Sequence, residues 1–254
     1  MGPPEYSAAW NTSDNMNSRK PPFPFSYASN VYGIYCVPDV FSHRVVPTTL
    51  KRGKVYEPDT ILFLRNVVGM GDMVTAGVFI GDFLPGISRI MAKDSLIWGF
   101  EPHPISAAAA EWTVGLNRLE NVRLIPKALS DKPGEKVLRA MDKNTGEQKA
   151  AASRIIANHA YEDDATTPRV LATTIDQTVP IERCVTAIHL DLEGHEIPAL
   201  FGARETLRRW RPVLILEKNL EEEWFSVNFP NLQYRCAGKI DRNAVFVSER
   251  VHTV

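Results

Sequence analysis

The sequence predicts an α/β fold in which a mostly parallel sheet carries an antiparallel hairpin at its C-terminal end. Strand and helix patterns alternate from residue 73 onward, which is typical of right-handed βαβ crossovers and a parallel sheet. The last two strand patterns are joined by a short turn, so we expect them to pair antiparallel. The 254 residues, 44% of them hydrophobic, suit one large domain or one domain with an appendage.

Two segments precede the main domain. Residues 1–30 contain five prolines and only four charged residues, and such a segment gains little from burial, which predicts a flexible tail. Its interleaved aromatic residues leave a second interpretation open, in which the tail packs on a partner subunit or over a cleft. Residues 31–70 are interpreted as an N-terminal adaptor, with one strand pattern and one helix that starts near Pro58. The main domain is assigned to residues 71–254.

The main domain is divided by its hydrophobic patterns. Buried-strand patterns occupy residues 73–78, 95–100, 122–126, 185–192 and 212–218, and the terminal hairpin follows them. Helices are predicted from about residue 83, over 104–118 and from about 195 to 210. Residues 132–168 are polar and weakly periodic, which predicts an irregular excursion with at most one short helix.

Ligands of an open parallel sheet bind beyond the carboxyl ends of its strands, so the residues at those ends are the candidates for a site. Gly77 and Gly81 follow the first strand and would let the backbone approach a ligand closely. Glu101 follows the second strand, and an acid at this spacing can bind both hydroxyls of a ribose. Ser130 and Asp131 follow the third strand, where they either stabilise a turn or line a base pocket.

The fourth and fifth strands end on acidic residues. Asp191 and Glu193 lie on one side of the chain by strand alternation, and Glu217 ends the neighbouring strand. Packed carboxylates repel, so either one pKa is raised or a cation lies between them. Glu196 is explained by the start of a helix. His195 is either a general base or a helix residue facing water.

Composition excludes several classes of protein. Twenty-nine basic and 30 acidic residues argue against a nucleic-acid binder. No apolar run reaches the roughly 18 residues that a membrane span needs, and no signal pattern is recognised at the N-terminus. Three widely spaced cysteines form neither a disulfide framework nor a zinc site, which favours a reducing, cytoplasmic location.

Six sequence blocks together resemble a known family. In chain order they are GVFIG, FEPHP, VRLIPKALSD, TTID, IHLDLEGHE and PVLILE. Over residues 55–248 their order and spacing are similar to those of the FkbM-family S-adenosylmethionine-dependent methyltransferases. The resemblance implies a Rossmann-like seven-stranded methyltransferase sheet. It also implies methyl transfer from S-adenosylmethionine, usually to a hydroxyl of a sugar, glycan or natural product.

The resemblance also implies roles for individual residues. The cofactor-binding set is Thr75, Gly77, Gly81, Asp82, Glu101, Pro102, Ala128, Ser130 and Asp131. The resemblance places Asp191, Glu193 and Glu217 on the acceptor side, where these acids could also hold a divalent cation. His195 completes the catalytic set from the residues themselves: either Asp191 or His195 is expected to take the acceptor proton, while Glu193 and Glu217 orient the acceptor. Two positions depart from the family pattern: Thr75 stands where the family usually has an aspartate, and His189 where it usually has a lysine. Asp82 could compensate for the first departure.

Two alternatives stay open at this point. A nicotinamide-dependent oxidoreductase also needs an acid for its adenosine ribose, although the chain has no GxGxxG motif. The second alternative is an inactive methyltransferase-fold interaction protein, which the residue at position 75 motivates. The expected partners are a small-molecule or glycan acceptor and, because of the aromatic tail, a second copy in a homodimer; nucleic acid is not expected.

Overall fold

The computed structural model of the protein describes residues 20–139, 154–156 and 169–248. The N-terminal elements are β1 (Phe25–Ser29), β2 (Ile34–Pro38), α1 (Val45–Lys51) and α2 (Pro58–Val67). The central elements are β3 (Asp72–Ala76), α3 (Leu84–Ser88), β4 (Ile97–Phe100), α4 (Pro104–Leu116), β5 (Val122–Ile125), β6 (Ala128–Leu129), β7 (Gly134–Arg139), β8 (Arg154–Ile156), β9 (Arg169–Thr173) and α5 (Ile175–Thr178). The C-terminal elements are β10 (Val185–Leu190), α6 (Glu196–Phe201), α7 (Arg204–Trp210), β11 (Val213–Leu216), α8 (Glu222–Asn228), β12 (Tyr234–Ile240) and β13 (Asn243–Ser248).

The main sheet has seven strands in the order β12-β13-β11-β10-β3-β4-β5. The five strands from β11 to β5 run parallel, and the hairpin β12–β13 adds an antiparallel edge. The predicted fold class is therefore confirmed. The parallel strands are mostly apolar because helices cover both faces of the sheet.

The strand order reverses between β3 and β10. From β3 the chain moves outward to β4 and β5, whereas from β10 it moves the other way to β11. The carboxyl ends of β3 and β10 therefore diverge into a crevice, the usual ligand position in such sheets. Thr75 and His189 are register partners beside this crevice.

The N-terminal segments form a hairpin that packs on the main domain. β1 pairs antiparallel with β2, so the predicted boundary at residue 30 divides a hairpin, and Phe25–Ser29 belong to a strand instead of a tail. The apolar run Tyr35–Val37 is fully buried, and the Cys36 N–H donates to Thr113 Oγ1 of α4 at 3.1 Å. Burial of this run explains why the segment is ordered. Residues 1–19 of the predicted tail lie outside the described residues.

Helix α2 is capped by a residue far away in sequence. Its N-cap residue, Glu57, has left-handed backbone (φ 44°) and no capping side chain of its own. Asp241, in the turn of the β12–β13 hairpin, accepts from the Thr60 N–H at 2.8 Å and from Thr60 Oγ1 at 3.0 Å. Asn243 Nδ2 donates to Glu57 Oε2 at 2.7 Å. The start of α2 and the hairpin turn are thus held together.

Two further sequence predictions need correction. The excursion at 132–168 contains strand structure, because β7 pairs with β8 and β9 in a four-stranded sheet with β6; residues 140–153 and 157–168 lie outside the described part. The helix predicted from 195 to 210 is two helices, because Gly202 packs against the Ser130 carbonyl and Asp176 caps α7 through the Thr206 N–H. Helices α1 and α8 were not predicted.

Among the described residues, no helix combines the length and the apolar character that crossing a membrane requires.

Candidate active site

A cavity of about 340 Å³ opens at the carboxyl edge of the parallel strands. Ten of the sequence-predicted site residues line it: Thr75, Gly77, Asp82, Glu101, Pro102, Ala128, Asp191, Glu193, His195 and Glu217. Gly81, Ser130 and Asp131 do not line it. The order of strands explains this convergence, since residues at five strand ends meet at one edge of the sheet.

The glycine loop after β3 is shaped by close backbone approach. Gly77 has φ 80°, and a Cβ at this position would overlap the Asp191 carbonyl oxygen. Only glycine fits both conditions without strain. The loop continues through Phe79, which also has a positive φ (51°) and directs its N–H toward Glu101.

The Glu101 carboxylate is held by two backbone donors. Oε2 accepts from the Phe79 N–H and Oε1 from the His103 N–H, both at 2.8 Å. Burial raises the pKa of Glu101 to about 7, although the two backbone hydrogen bonds oppose this shift. Because each oxygen can accept a second hydrogen bond, the side chain fits a ligand with two adjacent hydroxyls, such as a ribose.

Three carboxylates converge at the other end of the cavity. Ligand oxygens of Asp191, Glu193 and Glu217 lie within 4.8 Å of one another. Burial, and then the charge and hydrogen bond of Glu217, raise the pKa of Asp191 well above its usual value. This shift favours the protonated form of Asp191, which would donate a hydrogen bond to Glu217 and relieve the repulsion between the two carboxylates. The Arg242 guanidinium lies 3.6 Å from Glu217 on the other side.

Ser130, Asp131 and His195 form a small group beside the cavity. Ser130 is fully buried, donates to Asp131 Oδ1 at 2.9 Å and lies 3.2 Å from His195 Nε2. Burial, and secondarily the charge of Lys136, lower the pKa of His195 to about 4. His195 is thus neutral near pH 7. Ser130 and Asp131 support His195 instead of facing the cavity.

Glu196 has a structural role that sequence reasoning missed. It is fully buried, and its Oε1 accepts from the Leu192 N–H at 3.1 Å and from the Gly194 N–H at 3.2 Å. Glu193 and Gly194 both have positive φ, 51° and 97°. Glu196 therefore holds the sharply turned loop that carries the acceptor-side acids, a role beyond that of a helix-start acid.

The N-terminal adaptor contributes residues to the cavity that the sequence did not reveal. His43, Arg44, Tyr56 and Glu57 line it, as does Arg242 from the hairpin turn. Tyr56 and Arg242 are hydrogen-bonded to each other. No motif marks these residues, because they reach the cavity through tertiary packing and not from the ends of parallel strands.

Thr75 and His189, the two departures from the family pattern, are in contact. Thr75 Oγ1 lies 3.2 Å from His189 Nδ1, and the Phe83 ring stacks on the imidazole with centroids 5.2 Å apart. Burial lowers the pKa of His189 to about 4. His189 is therefore a buried, neutral residue of the cavity wall.

Known proteins resemble this chain in sequence and in fold. The family model described as the methyltransferase FkbM domain matches residues 72–234, more than half of the chain. No curated protein sequence matches. Three solved structures have a similar fold. The methyltransferase FkbM from Methylobacillus flagellatus KT is 16% identical with a TM-score of 0.46, and the match covers 70% of this chain and 43% of that one. A SAM-dependent methyltransferase from Aquifex aeolicus is 11% identical with a TM-score of 0.40 (76% and 88% covered), and a tRNA (uracil-54, C5)-methyltransferase from Pyrococcus abyssi in complex with S-adenosyl-L-homocysteine is 12% identical with a TM-score of 0.41 (88% and 43% covered). This chain thus spans less than half the length of the Methylobacillus protein.

Proposed function

This chain belongs to the FkbM methyltransferase family, and from that membership we propose that it transfers the methyl group of S-adenosylmethionine to a hydroxyl of a sugar, glycan or natural-product acceptor. The observation that carries the proposal is the two-ended cavity. One end presents the Glu101 carboxylate with an acceptor site left on each oxygen, and the other presents the hydrogen-bonded pair of Asp191 and Glu217.

The Glu101 end fits the adenosine part of the cofactor. Glu101 would accept from both ribose hydroxyls, while Pro102 and Ala128 offer apolar surface beside it for a base ring. S-adenosylmethionine has no pyrophosphate, so the missing GxGxxG motif is no obstacle to binding. A dinucleotide would need that anion cradle, which disfavours the oxidoreductase alternative.

The acceptor end fits the removal of a hydroxyl proton. Bound cofactor supplies a methyl group already activated by its sulfonium sulfur, so the chain mainly has to align the acceptor oxygen and take its proton. As the acceptor oxygen exchanged its proton for the methyl group of the bound cofactor, the Glu217 carboxylate, to which Asp191 is hydrogen-bonded, would accept that proton. Glu193 would orient the acceptor. We assign this role to the pair and not to His195, whose Nε2 lies against Ser130.

A divalent cation is compatible with the same three acids. Asp191, Glu193 and Glu217 offer carboxylate oxygens, the ligands that Mg²⁺ and Ca²⁺ prefer. A cation held there would stabilise negative charge developing on the acceptor oxygen. Without a cation, Glu217 would take the acceptor proton directly, so measuring turnover with and without metal decides whether a cation is required.

Cofactor binding is tested by calorimetric titration with S-adenosylmethionine and, separately, with NADH. We expect the wild type to bind S-adenosylmethionine and Glu101→Gln to bind it about 10- to 100-fold more weakly, because a charged acceptor of two hydroxyls is lost. Glu111→Gln, a half-buried acid of α4 outside the cavity lining, is the matched control. Binding of NADH instead would support the oxidoreductase, and binding of neither would support an inactive interaction protein.

Methyl transfer is tested with radiolabelled S-adenosylmethionine and a panel of sugars, glycans and hydroxylated natural products. On an accepted compound, we expect Glu217→Gln to lower turnover about 10²- to 10⁴-fold, the usual contribution of a general base. Asp191→Asn should keep more activity, because its amide can still donate to Glu217. His195→Gln is the comparison variant, and full activity of Glu217→Gln would contradict the assignment. Turnover that is lost with EDTA and restored by Mg²⁺ would establish the cation.

A further inference from the structure

One wall of the acceptor end is built by residues from outside the segment that the family model matches. The match covers residues 72–234, whereas Tyr56 and Glu57 belong to the adaptor and Arg242 lies in the turn of the β12–β13 hairpin. All three line the cavity. What this wall recognises is therefore a property of this chain and does not follow from family membership.

The guanidinium of Arg242 is held on one side by the adaptor. Tyr56 is hydrogen-bonded to Arg242 and to Glu57, so its oxygen accepts from the guanidinium and its hydroxyl donates to the carboxylate. The turn that carries Arg242 is fixed at Thr60, whose N–H and hydroxyl both donate to Asp241. Arg242 thus has a defined position, and its side chain is 69% exposed, which leaves it open to an incoming ligand.

A gap separates Arg242 from Glu217 on the other side. Arg242 Nη2 lies 3.6 Å from Glu217 Oε1, which is longer than the roughly 2.7–3.2 Å of an N–H···O hydrogen bond. The guanidinium donor and the carboxylate acceptor therefore both keep hydrogen-bonding capacity for a ligand beside them. Because every hydroxyl can donate and accept, two hydroxyls on adjacent carbons fit this arrangement: one donates to Glu217, and its neighbour accepts from Arg242.

The charges at this end favour an uncharged group beside the reacting hydroxyl. After burial and Glu217, the charges of Glu193 and Glu57 also raise the pKa of Asp191, so all four acids lie close together. A phosphate or carboxylate placed against Arg242 would be repelled by these acids. An ammonium group in the same position would be repelled by the guanidinium itself. A second hydroxyl avoids both repulsions.

We propose that Arg242 and Glu217 bind the acceptor as an uncharged vicinal diol, with Tyr56 holding the guanidinium in place. The hydroxyl that receives the methyl group donates to Glu217, and the neighbouring hydroxyl accepts from Arg242. Arg242 is thus an acceptor-binding residue, and Tyr56 is a positioning residue. The inference rests on the proposed function, because it takes Glu217 as the group beside the reacting oxygen. It narrows the acceptor to compounds in which the carbon next to the reacting one carries a hydroxyl.

The test compares ring compounds that differ only beside the reacting hydroxyl. Cyclohexane-1,2-diol in its cis and trans forms, cyclohexanol and 2-hydroxycyclohexanecarboxylate are each offered with radiolabelled S-adenosylmethionine. We expect kcat/KM of the wild type to be about 10- to 100-fold higher for one of the diols than for cyclohexanol, the effect of one hydrogen bond to a charged group. The carboxylate should be the poorest acceptor.

Variants of the wall assign this preference to its residues. Arg242→Gln should lower kcat/KM for the diol to near the value for cyclohexanol, mainly by raising KM, while the affinity for S-adenosylmethionine stays unchanged. Tyr56→Phe should weaken the preference about 2- to 10-fold, because the guanidinium loses one neutral hydrogen bond. Lys239→Gln is the matched control, since Lys239 is an exposed cation of the same hairpin outside the cavity lining, and it should keep the wild-type preference.

Three outcomes would overturn the inference. The first is equal use of the diols and cyclohexanol by the wild type, and the second is an unchanged preference in Arg242→Gln. The third is transfer to none of the compounds by a chain that binds S-adenosylmethionine. A wild type that does not bind S-adenosylmethionine would instead overturn the proposed function.

Discussion

At the scale of single residues, the cavity is unusual in how many of its acids are disfavoured as anions. Burial raises the pKa of both Glu101 and Asp82 to about 7. Neither has a basic partner among the causes of its shift, and only backbone N–H donors favour the charged form of each carboxylate.

Binding of S-adenosylmethionine should therefore depend on pH near neutrality. A raised pKa in the free protein means that Glu101 is mostly protonated below pH 7, and it must lose that proton to accept from both ribose hydroxyls. We expect the affinity to fall about tenfold between pH 8 and pH 6 on account of Glu101 alone. Titration in two buffers of different ionisation enthalpy would detect the released proton.

Free protein and complex should respond to pH in opposite senses. Because Glu101 has a higher pKa folded than unfolded, its contribution to stability is full at low pH and is lost as pH rises through about 7. The gain in melting temperature on adding the cofactor should consequently grow from pH 6 to pH 8. In Glu101→Gln the gain in melting temperature should change less with pH than in the wild type, and the change that remains should be the part due to Asp82. A pH-independent affinity in the wild type would contradict the assignment.

At the scale of elements, the acceptor end is assembled by a contact between the start of α2 in the adaptor and the turn of the C-terminal hairpin. Asp241 caps α2 from the hairpin turn, and Asn243 holds Glu57. This contact places Arg242 beside Tyr56 on one side and Glu217 on the other. Adaptor and hairpin therefore form one wall of the cavity, so the adaptor is part of the site.

The strand ends explain why much of the site could be predicted from the sequence. In a parallel sheet the carboxyl ends meet at one edge, so Glu101, Asp191 and Glu217 could be placed together from strand patterns alone. The same reasoning failed for Ser130 and Asp131. They follow a strand pattern correctly, but the chain there turns away into the second sheet through β6.

Contacts between residues that are far apart in the sequence could not be predicted. Glu57 and Asn243 are 186 residues apart, and the sequence around neither residue indicates a contact with the other. The break between α6 and α7 was missed for the same reason, since it depends on Gly202 packing against the Ser130 carbonyl. The tail interpretation of residues 25–29 failed because isolated composition shows little gain from burial, whereas pairing with β2 supplies it.

At the scale of the whole molecule, the two edges of the main sheet differ in what they contain. The carboxyl edge holds the cavity. At the amino edge, the buried Asp72 accepts from Trp98 Nε1 and Arg183 Nε, both at 2.7 Å, and from the Leu96 N–H at 2.9 Å. The Asp72 carboxylate thus joins the starts of β3, β4 and β10. Neither Asp72 nor its three partners line the cavity. The division predicts that stability and binding can be changed separately.

Asp72→Asn tests that separation. The change keeps the size of the side chain but removes the charge that three donors share, and we expect a loss of about 2–4 kcal/mol in unfolding free energy, less than for a fully buried ion pair because Arg183 is partly exposed. Urea unfolding measures the loss, and Glu205→Gln, which breaks the exposed pair with Arg208, should cost under about 1 kcal/mol. Below the unfolding transition, S-adenosylmethionine affinity should equal that of the wild type. Weakened binding in Asp72→Asn would mean that strand alignment at the amino edge is transmitted along β3 and β10 to the cavity, and that the two edges are not independent.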